Sequence, residues 1–157
     1  MNKTARILVI DDDEKILAAF SIALRGEGYT VDTAKTGKEA IEKSNTNFYN
    51  LALIDIRLPD MAGTELLTKI KETTPKMRKI IVTGYPDMNG AIRAVNEGAD
   101  GYIVKPTTSD EIAEKVREQL KKQEEQEKFD EEKMAKFIET RAEEHEAKTQ
   151  AKGGSNS

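Results

Sequence analysis

The sequence predicts an α/β fold built on a parallel sheet, and three features carry that prediction. Short β-branched runs alternate with helical apolar patterns through the first hundred residues. Gly and Pro punctuate the segments, and two of the apolar runs finish on carboxylates. Repeated strand–helix–strand units lay consecutive strands parallel. Their carboxyl ends then gather on one edge, where open sheets of this kind bind ligands.

Ile7 to Ile10 reads as a buried first strand. A helix follows with apolar positions Ile16, Leu17, Phe20, Ala23 and Leu24, stopped by Gly26 and Gly28, and Asp13 stands where its N-cap belongs. Tyr29 to Thr33 reads as the second strand, Lys38 to Ser44 as a short helix and Leu51 to Ile54 as the third strand. Thr64 to Glu72 continues as a helix that ends near Pro75, and Ile80 to Thr83 is the fourth strand. A helix over Asn89 to Asn96, closed by Gly98, leads to the fifth strand, Tyr102 to Val104, which ends at Lys105-Pro106. No strand pattern follows.

Beyond Pro106 the chain changes character. Thr108 with Glu111 three residues later makes a capping box, and no Gly or Pro then appears until Gly153, so one long helix or two broken ones is expected. Glu111 with Lys115, Glu118 with Lys122, Glu124 with Lys128, Glu132 with Lys136 and Glu144 with Lys148 stand in the favourable i,i+4 order. Ile112, Val116 and Leu120 form one apolar stripe. The heptad through them next meets Gln123, Glu127 and Asp130, which argues against a continuous coiled coil. Met134, Phe137 and Ile138, with Phe129 alongside, make a patch too short to bury itself. The expected organisation is a globular domain over residues 1–122, a charged helical extension over 123–152 and a disordered tail over 153–157.

Composition narrows the chemistry. A chain of 157 residues can bury about two thirds of its unfolded surface in one core. With no cysteine, disulfides, thiolate metal sites and cysteine nucleophiles are excluded. His145, the one histidine, lies between Glu144 and Glu146 on a charged helix, so no histidine-based triad or metal site is expected. Residues 1–106 carry 15 basic and 15 acidic groups and residues 107–157 carry 10 and 14, leaving the net charge of −4 entirely in the C-terminal part. Neither part offers the basic field that direct nucleic-acid binding uses. Neither a membrane-spanning run nor a secretory signal is visible, and a soluble cytoplasmic protein is expected.

The chemistry concentrates at the strand ends. Asp11 and Asp12 follow the first strand, Asp55 the third, Thr83 ends the fourth and Lys105 ends the fifth. Like charges about 4 Å apart repel by about 1 kcal/mol in water and about 4 at an effective dielectric of 20. Three converging carboxylates therefore raise a pKa or recruit a cation, and an all-oxygen set suits Mg²⁺. Around them stand Leu58-Pro59-Asp60-Met61-Ala62-Gly63, Thr83-Gly84, Tyr102 and Lys105-Pro106. The ordered set, covering about residues 5 to 120, resembles the receiver domain of two-component response regulators.

That resemblance implies a flavodoxin-like, doubly wound five-stranded sheet in the order 2-1-3-4-5 with an extended C-terminal helix. It implies Mg²⁺ held by Asp12, Asp55 and the backbone carbonyl of Arg57, with Asp11 acting through water. Asp55 becomes the phosphoryl acceptor, Lys105 and Thr83 stabilise the transferring group, and Gly84 leaves the attacked face open. Thr83 and Tyr102 form the switch: the threonine moves toward the phosphoryl group and the tyrosine swings inward behind it. Lys105-Pro106 resembles the family's cis peptide, and Arg57 and Tyr85 occupy positions that tune phosphoryl lifetime.

The implied donor is a sensor histidine kinase, the implied recipient a downstream protein, and a phosphorylation-dependent homodimer is among the forms the family allows. Such a chain catalyses its own modification and turns over no separate substrate. Two alternatives stand beside this reading: the front piece of a larger regulator, transcriptional or otherwise, and an interaction module that signals by binding alone.

Overall fold

The computed structural model describes residues 4–154. It divides into two compact units, Met1–Gln123 and Glu124–Ser157.

In the first unit, β1 (Arg6–Ile10), α1 (Glu14–Gly26), β2 (Thr30–Ala34), α2 (Gly37–Thr46), β3 (Leu51–Asp55), α3 (Gly63–Lys69), β4 (Arg78–Thr83), α4 (Met88–Asn96) and β5 (Gly101–Val104) follow one another. The start of α5 (Ser109–Gly154) completes it. The strands pair in parallel in the order β2-β1-β3-β4-β5, the expected flavodoxin-like arrangement.

Both faces of the sheet are covered, which is why its central strands are apolar without alternation. Ile7, Val9, Leu53 and Val82 pack with Leu17, Phe20 and Leu24 of α1 and with Ile112, Val116 and Leu120 of α5. Leu8, Ile10, Ile54 and Ile81 pack on the other face with Ala40 of α2, Leu66 and Leu67 of α3 and Ala94 of α4. Each fully buried leucine or isoleucine contributes roughly 1.5–3 kcal/mol. All the strands therefore end at one rim.

Several boundaries differ from the sequence expectation. β2 begins at Thr30 rather than Tyr29, because Thr30 opposite Arg6 starts the register with β1 while Tyr29 packs at the edge of the first core. α3 ends at Lys69, three residues before Glu72, because Ile70 turns into extended backbone and is buried in the second core. β4 begins at Arg78, two residues before Ile80. The two charged residues are accommodated by partners from elsewhere. The Arg78 guanidinium donates to Gln119 Oε1 at 2.7 and 3.0 Å, and the buried Lys79 ammonium donates to the Leu67 carbonyl at 3.2 Å and to Glu72 at 3.1 Å.

Gln123, where the apolar stripe of α5 breaks, is nonetheless buried. Its amide donates to the carbonyls of Asn50 at 2.9 Å and Lys76 at 2.8 Å, tying α5 to the amino edge of the sheet.

The N-terminus of α5 forms half of the capping box: Thr108 Oγ1 accepts from Glu111 N at 3.1 Å, while the Glu111 carboxylate accepts from the Thr107 hydroxyl at 2.8 Å. Of the i,i+4 pairs, Glu118 with Lys122 closes at 3.5 Å. α5 runs through Gly153 and Gly154, both expected in the tail, and residues 155–157 lie outside the described residues.

The second unit is the distal part of α5. Phe129, Met134, Phe137 and Ile138 are all exposed there, and the Arg141 guanidinium carbon lies 5.3 Å from the centre of the Phe137 ring. Among the described residues, no helix is long and apolar enough to cross a membrane.

Candidate functional site

The carboxyl rim is assembled by strand ends. Asp11 follows β1 and its N–H donates to the Ala34 carbonyl at 3.0 Å, which draws it inward beside the end of β2. Its side chain is 4% exposed: Oδ1 accepts from Asp13 N at 2.9 Å and Oδ2 from Lys105 Nζ at 2.9 Å. Asp12, next along, is exposed. Asp13 is the N-cap expected of it, accepting from Lys15 N at 2.8 Å.

Asp55 is the last residue of β3 and is buried. Oxygens of Asp11, Asp12 and Asp55 all lie within 4.8 Å of one another. The Lys105 ammonium sits 3.7 Å from Asp55 Oδ1 as well as 2.9 Å from Asp11. One cation thus faces two buried anions.

The electrostatics follow from that crowding. Burial pushes the Asp55 carboxyl above its ordinary value, and the charge on Asp11 pushes it further; Lys105 and a hydrogen bond from the Arg57 backbone offset part of this. For Lys105, burial works against the charged form. The hydrogen bond to Asp11 and the fields of Asp11 and Asp55 outweigh it, so the ammonium titrates above the usual lysine range. An Asp55 that resists ionisation is a group that welcomes added positive charge.

The remaining predicted residues share this rim. Thr83, fully buried at the end of β4, accepts from Tyr85 N at 3.0 Å, and its carbonyl accepts from Lys105 N at 2.7 Å, which joins the ends of β4 and β5. The Lys105-Pro106 peptide is cis. At Gly84 a Cβ would meet Lys105 Cβ at 3.9 Å, an ordinary van der Waals contact.

Tyr102, opposite Ile81 in the sheet, packs against the second core with its hydroxyl buried and without a hydrogen-bond partner.

The loop after Asp55 folds back sharply. Gly63 N donates to the Ile56 carbonyl at 2.7 Å, and a Cβ at Gly63 would stand 2.3 Å from the Asp55 carbonyl oxygen, so only glycine fits this approach. Arg57, in this loop, lays its guanidinium carbon 3.9 Å from the centre of the exposed Tyr85 ring. Both residues line a cleft with Thr64, Met88, Asn89 and Arg93.

Sequence reasoning gave Asp60 no role beyond its place in the loop. Its carboxylate accepts from Gly37 N and Lys38 N, both at 2.9 Å, at the start of α2.

A family model described as the response regulator receiver domain matches residues 7–117. The chain belongs to that family. Its fold is therefore that of a receiver domain. Among curated relatives, it is 37% identical over 114 residues to the transcriptional regulatory protein ZraR of Klebsiella oxytoca, an alignment covering 73% of this chain and 26% of that protein. The chain spans about a quarter to a half of the length of the curated relatives it matches.

Among solved structures, a CheY-like response regulator receiver domain protein from Methanospirillum hungatei JF-1 is 46% identical, with a TM-score of 0.75 and coverage of 78% of this chain and 98% of that one. A response regulator from Burkholderia pseudomallei, solved with a phosphorylated aspartic acid, a calcium ion and citrate, is 28% identical, with a TM-score of 0.63 and coverage of 69% and 64%.

Proposed function

We propose that this receiver accepts a phosphoryl group on Asp55 from a phosphohistidine of a sensor kinase, in a Mg²⁺-dependent reaction, and relays the signal to a partner protein. The observation that carries the proposal is the Lys105 ammonium set against Asp11 and Asp55, beside three carboxylates whose oxygens lie within 4.8 Å.

The donor set fits the metal. Asp12, Asp55 and the Arg57 carbonyl would hold Mg²⁺, with Asp11 supporting it through water; all are oxygen donors, as Mg²⁺ requires. Bound there, Mg²⁺ supplies positive charge that offsets the carboxylates and the phosphoryl oxygens. The phosphorylated aspartate and calcium ion of the Burkholderia relative support the same reading.

The protein's own groups divide the remaining work. An Asp55 carboxylate oxygen forms the new O–P bond as the donor's N–P bond breaks, and the released imidazole nitrogen keeps the electron pair and takes a proton. Lys105 turns from Asp11 toward the arriving phosphoryl oxygens. The Thr83 hydroxyl accepts from Tyr85 N and keeps its own proton to donate. Because the transferring group is stabilised by charge and position rather than by covalent chemistry, placing these groups in advance is the main contribution of the fold.

Movement of Thr83 then changes the surroundings of Tyr102. Its hydroxyl is buried and unpartnered, so a shift of the ring behind Thr83 breaks no hydrogen bond of the hydroxyl. The stacked pair Arg57 and Tyr85 occupies the positions from which phosphoryl lifetime would be tuned. The short span relative to its curated relatives favours a second reading, in which this receiver works within a longer regulator; sequencing the full reading frame decides it.

The metal half of the proposal is tested by thermal unfolding. Mg²⁺ binding only the folded state raises the melting temperature of the unaltered chain, and Asp12→Ala reduces that rise. An equal rise in both contradicts the assignment.

A further inference from the structure

The loop that follows Asp55 is closed upon itself by backbone bonds: Arg57 pairs with Ala62, Leu58 N donates to the Met61 carbonyl at 3.2 Å and Gly63 N to the Ile56 carbonyl at 2.7 Å. Asp60 sits at the tip of this small hairpin. Its two carboxylate oxygens accept one hydrogen bond each, from Gly37 N and Lys38 N, at 2.9 Å.

Those amides are the first two of α2, which the helix itself leaves unpaired. The third, Glu39 N, is taken at 3.0 Å by the helix's own cap, Thr36. Asp60 is thus a second cap on the same terminus, and a charged one, supplied from 23 residues away. Charged acceptors on backbone N–H groups make the stronger class of hydrogen bond, and the positive end of the helix dipole adds to the hold. Beside it the Met61 side chain fills the space over Gly37, where a Cβ would stand 2.4 Å from the sulfur. The contact is a clasp with two fingers.

We infer that Asp60 is a positioning residue for the metal centre: by anchoring the hairpin to α2, it fixes the Arg57 carbonyl at the place where Mg²⁺ is to be held. The inference rests on the proposed function. Asp60 touches neither the metal nor the phosphoryl group, and it lies three residues along a hairpin too tight to adjust independently of its tip. Without the clasp, the hairpin gains freedom that Mg²⁺ binding must then remove. The loss therefore falls on Mg²⁺ affinity, and the phosphorylation rate at saturating Mg²⁺ is nearly unchanged.

The test is calorimetric titration of Mg²⁺ into the full chain and into Asp60→Ala, Asp60→Asn and Thr36→Ala, with melting temperatures alongside. Removing a partner bonded directly to a metal ligand typically costs tenfold or more in affinity; Asp60 acts one step further out, so about threefold or more is expected for Asp60→Ala. Asp60→Asn, which keeps one acceptor oxygen, recovers part of the loss. Thr36→Ala is the control: it removes a cap from the same helix and lowers the melting temperature, but leaves Mg²⁺ affinity at the parent value. The phosphorylation rate of Asp60→Ala at saturating Mg²⁺ stays within about twofold of the parent.

If Asp60→Ala binds Mg²⁺ as the parent does, or if Thr36→Ala weakens it equally, Asp60 is only a helix cap and the inference is overturned. If the unaltered chain binds no Mg²⁺ at all, the proposed function fails and takes this inference with it.

Discussion

Lys105 Nζ donates to Asp11 Oδ2 across 2.9 Å, joining residues 94 apart in the chain. The Asp11 side chain is 4% exposed, and Lys105 is its one cationic partner among the described ion pairs. In Lys105→Met, a buried carboxylate loses its counter-charge and keeps only the hydrogen bond from Asp13 N, and such losses cost about 3 kcal/mol. We expect that destabilisation in urea unfolding with a chelator present. The same variant should bind Mg²⁺ more tightly, since the ammonium no longer competes for Asp11. Weaker or unchanged Mg²⁺ binding would show that lysine and metal do not share this carboxylate.

A second set of charges, around Asp32 in the middle of β2, predicts a pH dependence. Asp32 accepts from the Tyr49 hydroxyl at 2.6 Å and from Arg6 at 2.9 Å. Chiefly the tyrosine, against partial burial and with help from Arg6, holds its carboxyl below the ordinary value. A depressed folded-state pKa contributes stability that is present above the unfolded value, about 3.9, and is lost as pH falls through the folded one. Asp32→Asn should therefore be less stable than the parent at neutral pH, by about 1 kcal/mol after allowing for solvent screening. The difference should close below about pH 4. Denaturant unfolding of both proteins at several pH values measures it, and a gap that persists at low pH contradicts the assignment.

Tyr102 offers a test of opposite sign. A buried hydroxyl without a partner costs about 1–3 kcal/mol of desolvation. Tyr102→Phe keeps the ring and removes that cost, so it should match or exceed the parent in urea unfolding, by up to about 1 kcal/mol. A clear loss of stability would mean that the hydroxyl has a partner in solution.

What could be read from the sequence divides along a physical line. The ends of β1, β3, β4 and β5 were legible because an apolar run that stops on Asp, Thr or Lys states both the strand and its functional edge. The start of β4 was not: Arg78 and Lys79 look like loop residues until Gln119 and Glu72 supply their partners. Gln123 read as the end of an apolar stripe, yet it is buried because two backbone carbonyls wait for its amide. Asp60 was legible only as part of a loop, since its partners lie in a helix 22 and 23 residues earlier. Residues whose role is set by a distant partner carry no local signal.

The central claim is that Asp55 takes the phosphoryl group, and intact-mass spectrometry tests it most directly. The parent and Asp55→Asn are incubated with Mg²⁺ and a small acyl phosphate, then weighed before and after exposure to base. A single phosphoryl adduct is expected on the parent, stable in acid, lost in base and dependent on Mg²⁺, with none on the variant. The same adduct on Asp55→Asn, or no adduct on the parent, would contradict it.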